Sequence, residues 1–113
     1  MIEAYDTDVS LAEVLKALAH PARLRILRLL ATRGTCICGE LVEMMPLSQA
    51  TVSQHLKVLK EVGLVVGTID GPRSCYCIDH AALSRLRDLV VDLFGAIGNC
   101  CQPSEEDSRD QNQ

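Results

Sequence analysis

The sequence predicts a mainly helical domain with a small β-sheet. This prediction rests on consecutive helix-like and strand-like segments near the middle of the chain. Residues 47–62 place apolar side chains on one face at helical spacing. A shorter helical stretch, 40–45, precedes them across a turn. Two strand-like runs, 64–69 and 74–78, follow and are joined by a turn at 70–72. A helix-turn-helix followed directly by a β-hairpin is a winged helix-turn-helix, which is the fold class we predict.

Two helices are expected before this unit. Ser10 and Glu13 match a capping box and predict that the first helix begins at Ser10, which leaves residues 1–9 as an N-terminal arm. A second helix is expected from Pro21 to about Thr32, because proline is favoured at the first helical position. The expected core stripe of this second helix is Leu24, Leu27 and Leu30, widened by Ile26 and Leu29.

The segment 35–38 is too short for a helix and is predicted to be a strand that pairs with the returning strand of the wing. Side chains alternate along a strand, so Ile37 should point inward on one strand, and Tyr76 and Ile78 should share one face of the other. The remaining positions are two Cys-x-Cys pairs, which would lie side by side within reach of a shared ion or a disulfide. These cysteines are Cys36, Cys38, Cys75 and Cys77.

The last predicted helix runs from His80 to about Gly98, with Asp79 as its N-cap. Apolar residues recur along it every three or four positions, as in a helix that packs on a partner helix. These residues are Leu83, Leu86, Val90, Leu93 and Ile97. Packing within the chain is the alternative. However, Leu89, Val91 and Phe94 add more apolar surface than one face of a small domain needs, so we predict a homodimer.

Length and charge limit the class of protein. A chain of 113 residues suggests one domain, which we place at 10–99, followed by a Cys-Cys and acidic disordered tail at 100–113. The net charge of −4 argues against indiscriminate coating of nucleic acid. The apolar runs are too short for a membrane helix, and the chain starts with acidic rather than basic residues. We therefore expect a cytoplasmic protein without a membrane partner.

The polar face of the helix at 47–62 is rich in uncharged hydrogen-bonding side chains and lysine. Such side chains reach base edges or neutralise phosphates, so the face is predicted to bind double-stranded DNA; an ordinary solvated face is the alternative. Ser48 is the expected N-cap, and His55 is expected to contact a phosphate or a neighbouring carbonyl. The full predicted DNA-binding set is Ser48, Gln49, Thr51, Ser53, Gln54, His55, Lys57, Lys60 and Arg73.

Six cysteines form three close pairs, the third being Cys100 and Cys101. In a secreted domain they would suggest disulfides, but nothing indicates export and cytosolic thiols stay reduced. Three close pairs therefore favour ligation of a thiophilic ion by at least three cysteines over chance burial. Trivalent arsenic or antimony requires three thiolates, whereas zinc or cadmium prefers four ligands. Pairs without a nearby carboxylate or histidine favour the metalloid, and the choice of ligands stays open among the six.

Several segments together resemble the ArsR/SmtB family of metal- and metalloid-responsive bacterial repressors. They are HPARLRILRLL, CICGEL, LSQATVSQHLKVLKEVGLV and the GPR…CYCI wing, and the likeness spans residues 10 to about 98. It implies a winged-helix homodimer that represses its own operon until an inducer binds cysteines. Arsenic-sensing members carry Cys-Val-Cys-Asp-Leu where this chain has Cys36-Ile37-Cys38-Gly39-Glu40-Leu41, with one extra residue after the second cysteine. The zinc site that other members place on the last helix looks absent here, because Asp79 and His80 lack a second histidine near the helix end.

These observations predict a repressor that leaves its operator when arsenite or a similar ion binds cysteine thiolates. One alternative is a repressor of the same fold that senses oxidants or sulfur species through disulfides, and another is a small thiol-rich metal-binding protein. A thiol oxidoreductase is disfavoured, because no Cys-x-x-Cys lies at a strand-to-helix junction. Paired carboxylates, a phosphate-binding loop and a nucleophile-base set are also missing from the sequence, so we expect neither enzyme activity nor an organic cofactor.

Overall fold

The computed structural model describes residues 2–33, 36–38, 41–68 and 75–98. In that part of the chain it contains helices α1 to α4, strands β1 to β3 and one short 3-10 helix. Their bounds are α1 Ile2–Leu18, α2 Pro21–Arg33, β1 Ile37–Cys38, the 3-10 helix Leu41–Met44, α3 Gln49–Glu61, β2 Val65–Thr68, β3 Cys75–Ile78 and α4 His80–Gly98. The winged helix-turn-helix prediction is confirmed, with a 3-10 turn in place of the short α-helix expected before α3.

The three strands form one antiparallel sheet in the order β1-β3-β2. Ile37 pairs with Tyr76 and Cys38 with Cys75 across β1 and β3, while Gly67 of β2 pairs with Tyr76 from the other side. The predicted pairing of the early strand with the returning wing strand is therefore confirmed. The turn expected at 70–72 lies outside the described residues.

The core lies between α2, α3 and the sheet. Its fully buried side chains include Ile26, Leu30, Leu41, Val52, Leu56, Leu59, Leu64, Val65 and Tyr76. The stripe predicted for α2 is wrong at Leu24, which is 43% exposed. Ala22, Ile26 and Leu30, spaced four residues apart, are the buried positions of α2. In a helix this rich in leucine, more than one set of residues could form the buried face. Packing against α3 and β3 buries the face that carries Ala22, Ile26 and Leu30.

Helix α1 begins at Ile2, so the predicted start at Ser10 is wrong and residues 2–9 are helical rather than an arm. Ser10 and Glu13 lie inside the helix. The segment before Ser10 contains no proline or glycine, and Tyr5 and Val9 continue an apolar stripe at helical spacing. This stripe is uncovered in the single chain, where Tyr5 is 68% exposed.

Helix α4 has the predicted bounds, and Asp79 caps it, since the backbone N–H of Ala82 donates to Asp79 Oδ1 at 3.1 Å. Leu83 and Leu86 pack partly against the core, but no described side chain of α4 is buried. Its C-terminal half is largely uncovered, with Phe94 64% exposed. We call the exposed residues of α1 and α4 the helical apolar surface: Tyr5, Val9, Leu15, Val91, Leu93, Phe94 and Ile97.

No helix in the described ranges combines the length and apolar character that a membrane span requires.

Candidate DNA interface and cysteine pairs

Helix α3 is fixed by caps at both ends and by a buried apolar face. Ser48 is the N-cap, as predicted: its Oγ accepts a hydrogen bond from the backbone N–H of Thr51 at 3.3 Å. The helix ends before Gly63, whose φ of +83° is a left-handed conformation that glycine adopts without steric cost. The buried positions are Val52, Leu56 and Leu59.

The predicted DNA-binding side chains of α3 are spread around the helix surface that the buried positions leave open. Two of them, Ser53 and His55, are half-buried at the edge of this surface. The exposed members are Ser48, Gln49, Thr51, Gln54, Lys57 and Lys60. Arg73 lies outside the described residues. The exposed surface of the helix thus carries hydrogen-bonding groups and positive charge, which is the chemistry needed to contact bases and phosphates.

Lys60 also contacts the wing, which the sequence reasoning missed. Its Nζ donates a hydrogen bond to the backbone carbonyl of Gly67 in β2. Gly67 has a φ of +129°, and a Cβ there would lie 2.8 Å from Cα of Tyr76 and would also clash with the carbonyl oxygen of Cys75. A glycine inside a strand-like run signals such close backbone approach, so this feature was open to prediction from the sequence.

His55 belongs to a cluster between α3 and the start of α2. Arg23 Nε donates to His55 Nδ1 at 3.2 Å, and Arg23 Nη1 donates to the carbonyl of Ala17 at 3.1 Å. His20 Nδ1 accepts from the N–H of Ala22 at 3.1 Å, and its ring lies 4.4 Å from that of His55. Among the described residues no carbonyl accepts from His55, so the expected carbonyl contact is wrong; its partner is Arg23, which donates to Nδ1, and the phosphate contact stays a prediction.

Burial lowers the pKa of His55, and the charges of His20 and Arg23 lower it further. The unfolded chain therefore takes up this proton more readily than the folded one. The contribution of His55 to the free energy of unfolding is complete above the ordinary pKa of 6.5 and falls as the pH drops through 6.5 towards the lower folded pKa.

We expect the urea midpoint to decline between pH 7.5 and 5.5, and His55→Gln to make this decline shallower. The control is His80→Gln, since His80 is exposed at the start of α4 and should leave the decline unchanged. The same pH dependence in wild type and His55→Gln would contradict the assignment.

The cysteines at and just before β1 lie beside those of β3, as the strand alternation predicted. Cys36 is disulfide-bonded to Cys77 directly across the strands, with their Cα atoms 4.3 Å apart. Cys75 also takes part in a disulfide bond. Cys36 is exposed, and Cys75 and Cys77 are half-buried, whereas Ile37 faces the core. For Cys38 only the backbone position is described, and Cys100 and Cys101 lie outside the described residues.

The type of donor fits a thiophilic ion, but only after reduction, because a disulfide sulfur is not a thiolate. Among the side chains that the structure describes, no three histidine, cysteine, aspartate or glutamate residues converge on one point. Reduction of the Cys36–Cys77 bond supplies two facing thiols. The remaining ligands of the predicted set would come from other cysteines, including those outside the described residues.

Comparison with known proteins agrees with this geometry. A helix-turn-helix domain family model matches residues 18–68. The arsenical resistance operon repressor of Staphylococcus aureus is 40% identical over 83 residues, which cover 74% of this chain and 76% of that protein.

Solved structures give the same result. The solution structure of a homodimeric winged helix-turn-helix DNA-binding domain from Mycobacterium bovis, described as a possible ArsR-family regulator, has a TM-score of 0.59 at 29% identity, over 90% of this chain and 94% of that chain. The cadmium metal-sensor CMTR from Mycobacterium tuberculosis has a TM-score of 0.50 at 37% identity, over 81% and 84%. The chain therefore belongs to the ArsR/SmtB family of helix-turn-helix transcriptional regulators.

Proposed function

We propose that this chain is a homodimeric repressor that leaves its operator when trivalent arsenic, or another thiophilic ion, binds its cysteine thiolates. The observation that carries the proposal is the facing pair Cys36 and Cys77 in the same small sheet that forms the wing beside α3. A thiol site in this sheet is joined to the DNA-binding helix through β2, which pairs with β3 and contacts α3, so a change at the cysteines has a structural route to the DNA contacts.

The homodimer follows from the helical apolar surface. Apolar side chains of α1 and α4 remain exposed, and two of them, Leu15 and Leu93, line a groove of about 400 Å³ between these helices. A second copy of the chain would cover this surface. The relative from Mycobacterium bovis is described as homodimeric. A two-fold dimer presents two copies of α3 to successive major grooves of a palindromic operator.

Different parts of α3 would have different roles on DNA. Gln49, Thr51, Ser53 and Gln54 are proposed to contact base edges, because amide and hydroxyl groups can donate to and accept from them. Lys57, Lys60 and Arg73 are proposed to contact phosphates. Ser48 orders the first turn of the helix. His55 accepts from Arg23 through Nδ1, which leaves its Nε2 as the atom able to donate to a phosphate.

The inducer would be held by three or more of the six cysteines as thiolates. The relatives' names point to arsenical and cadmium ions, both of which favour sulfur ligands. When bound, the ion cross-links thiolates that are otherwise separate. Release requires only that the dimer conformation stabilised by the ion binds operator more weakly, typically by about 1–3 kcal/mol, or roughly 5–150-fold in affinity.

The Cys36–Cys77 disulfide favours a second candidate, a repressor controlled by oxidation. Here two thiols lose two protons and two electrons to an oxidant such as hydrogen peroxide, which is reduced to two molecules of water. This candidate needs no metalloid, and it predicts that the disulfide form and the dithiol form differ in operator affinity.

The test is fluorescence anisotropy of the reduced protein on a labelled fragment of its own promoter, titrated with arsenite, with zinc and with peroxide in separate experiments. We expect arsenite near stoichiometric concentration to weaken binding roughly 5–150-fold. Cys36→Ser and Cys77→Ser should lose this response. Gln54→Ala is the matched control, since it should weaken binding but keep the response. Release by peroxide alone would favour the oxidation candidate, and binding that no titrant weakens would contradict both.

A further inference from the structure

The two exposed lysines of α3 differ in their surroundings. Lys57 makes no hydrogen bond to any residue that the structure describes, whereas Lys60 donates from Nζ to the carbonyl of Gly67 in β2. Both side chains are exposed on the same helix, one turn apart. Lys60 therefore links the DNA-binding helix to the wing, and Lys57 does not.

This link is one of several connections between α3 and β2. Another is the chain itself, which turns at Gly63 and is held by a hydrogen bond from the N–H of Leu64 to the carbonyl of Leu59 at 3.0 Å. Leu59 of α3 and Val65 of β2 also pack in the same buried cluster, which holds the two elements together on their inner side. The bond between Lys60 and Gly67 adds a polar contact on the exposed side of this junction.

Gly67 in turn is held tightly against β3. It pairs with Tyr76, and the space for a Cβ is already occupied by the backbone of Cys75 and Tyr76. Because no side chain lies between the two backbones at this point, a shift of β3 moves Gly67 with it. Tyr76 lies directly between Cys75 and Cys77, the two cysteines of the strand.

The state of these cysteines sets the spacing of β3 from β1. The sulfurs of a disulfide are about 2.05 Å apart. Two thiolates on one tetrahedral zinc ion, with bonds of about 2.3 Å, lie roughly 3.8 Å apart, and three-coordinate arsenic likewise holds its sulfurs farther apart than a disulfide does. Oxidation and ion binding therefore hold the sulfurs of Cys36 and Cys77 at two separations that differ by roughly 1.7 Å, whereas the free thiols of the reduced protein carry neither constraint. Since β3 lies between β1 and β2, its adjustment is passed on to Gly67.

We propose that Lys60 is a positioning residue that couples the thiol state of the β1–β3 cysteines to the placement of α3, by way of Gly67. This inference rests on the proposed function, whether the signal is a bound ion or a disulfide. It gives Lys60 a role that a phosphate contact alone would not have: its loss should reduce the difference between two thiol states, and not only the affinity for DNA.

The test compares Lys60→Met with the matched control Lys57→Met, which removes the same charge from the same face. Operator affinity is measured by anisotropy for the reduced, the arsenite-treated and the peroxide-oxidised protein, at several salt concentrations. For each protein, the operator affinity of the reduced form is divided by that of each treated form. The larger of the two ratios is then compared between wild type and the variants. Wild type should show a ratio of about 5-fold or more. We expect this ratio to fall below about 2-fold in Lys60→Met and to persist in Lys57→Met, which should bind more weakly in every state and lose about one unit of salt slope. Arsenite binding measured without DNA should be the same in both variants.

A further variant, Lys60→Arg, keeps a donor and should restore most of the ratio. Equal weakening of all thiol states by Lys60→Met, with the ratio intact, would overturn the inference and leave Lys60 as a simple phosphate contact. Failure of the proposed function would be seen in a different protein. In that case wild type itself would bind operator equally well in all thiol states, which would also overturn the inference.

Discussion

Phe94→Glu is expected to convert the dimer into monomers at micromolar concentration and to weaken operator binding at least 100-fold. Phe94 is 64% exposed on α4, within the helical apolar surface that the proposed dimer would cover. A carboxylate buried there without a partner costs several kcal/mol, and the two-fold axis would bring two such charges into one interface. Even 4 kcal/mol raises the dissociation constant of the dimer about 1,000-fold.

Sedimentation equilibrium would measure this change, with operator affinity followed in parallel. Val66→Glu is the control, because Val66 is also an exposed apolar residue but lies on β2 in the wing. It adds the same charge and should leave the protein dimeric. A stable Phe94→Glu dimer would contradict the proposed interface.

Gly67→Ala should destabilise the fold by about 3–4 kcal/mol, the largest effect that we expect from adding a single methyl group. A φ of +129° is nearly inaccessible to residues with a Cβ. In addition, the new methyl group would meet the backbone of Cys75 and Tyr76, with Cα of Tyr76 only 2.8 Å away. Backbone atoms in a paired strand cannot move aside as a flexible side chain can, so β2 and β3 would have to separate.

Gly63→Ala separates the two costs in a urea unfolding experiment. Gly63 also has a positive φ, +83°, but a Cβ there meets nothing within 4 Å among the described atoms. Its substitution should cost only about 1 kcal/mol, the conformational part. If both variants lost the same free energy of unfolding, the close approach of β3 to Gly67 would not be the reason why this position requires glycine.

Most of the fold could be predicted because it is encoded in local patterns. Apolar periodicity and the caps at Ser48 and Asp79 defined α3 and α4, and strand alternation placed the two Cys-x-Cys pairs side by side. The start of α1 was wrong because Ser10 and Glu13 satisfy a local capping rule that the helix does not use. The apolar stripe upstream of Ser10 gains a packing role only when a partner surface is considered.

The missed contacts share a different cause. Arg23 and His55 are 32 residues apart, and nothing in the sequence around either one indicates that they meet. The bond between Lys60 and Gly67 depends on how far the hairpin folds back towards α3, which periodicity does not describe. Long-range polar contacts of this kind depend on the angles between elements, and these are set by packing of the whole core.

The bond between Cys36 and Cys77 has a topological consequence. It joins residues 41 positions apart, so the oxidised chain contains a covalent ring that encloses the whole of α3 and β2. Closing a ring of this size restricts the unfolded chain by about 4 kcal/mol in the chain-entropy model. Oxidation would therefore do more than change the spacing of two strands, because it would enclose the DNA-binding helix in a covalent loop. Cleavage of one peptide bond within that loop would leave the two fragments joined by the disulfide.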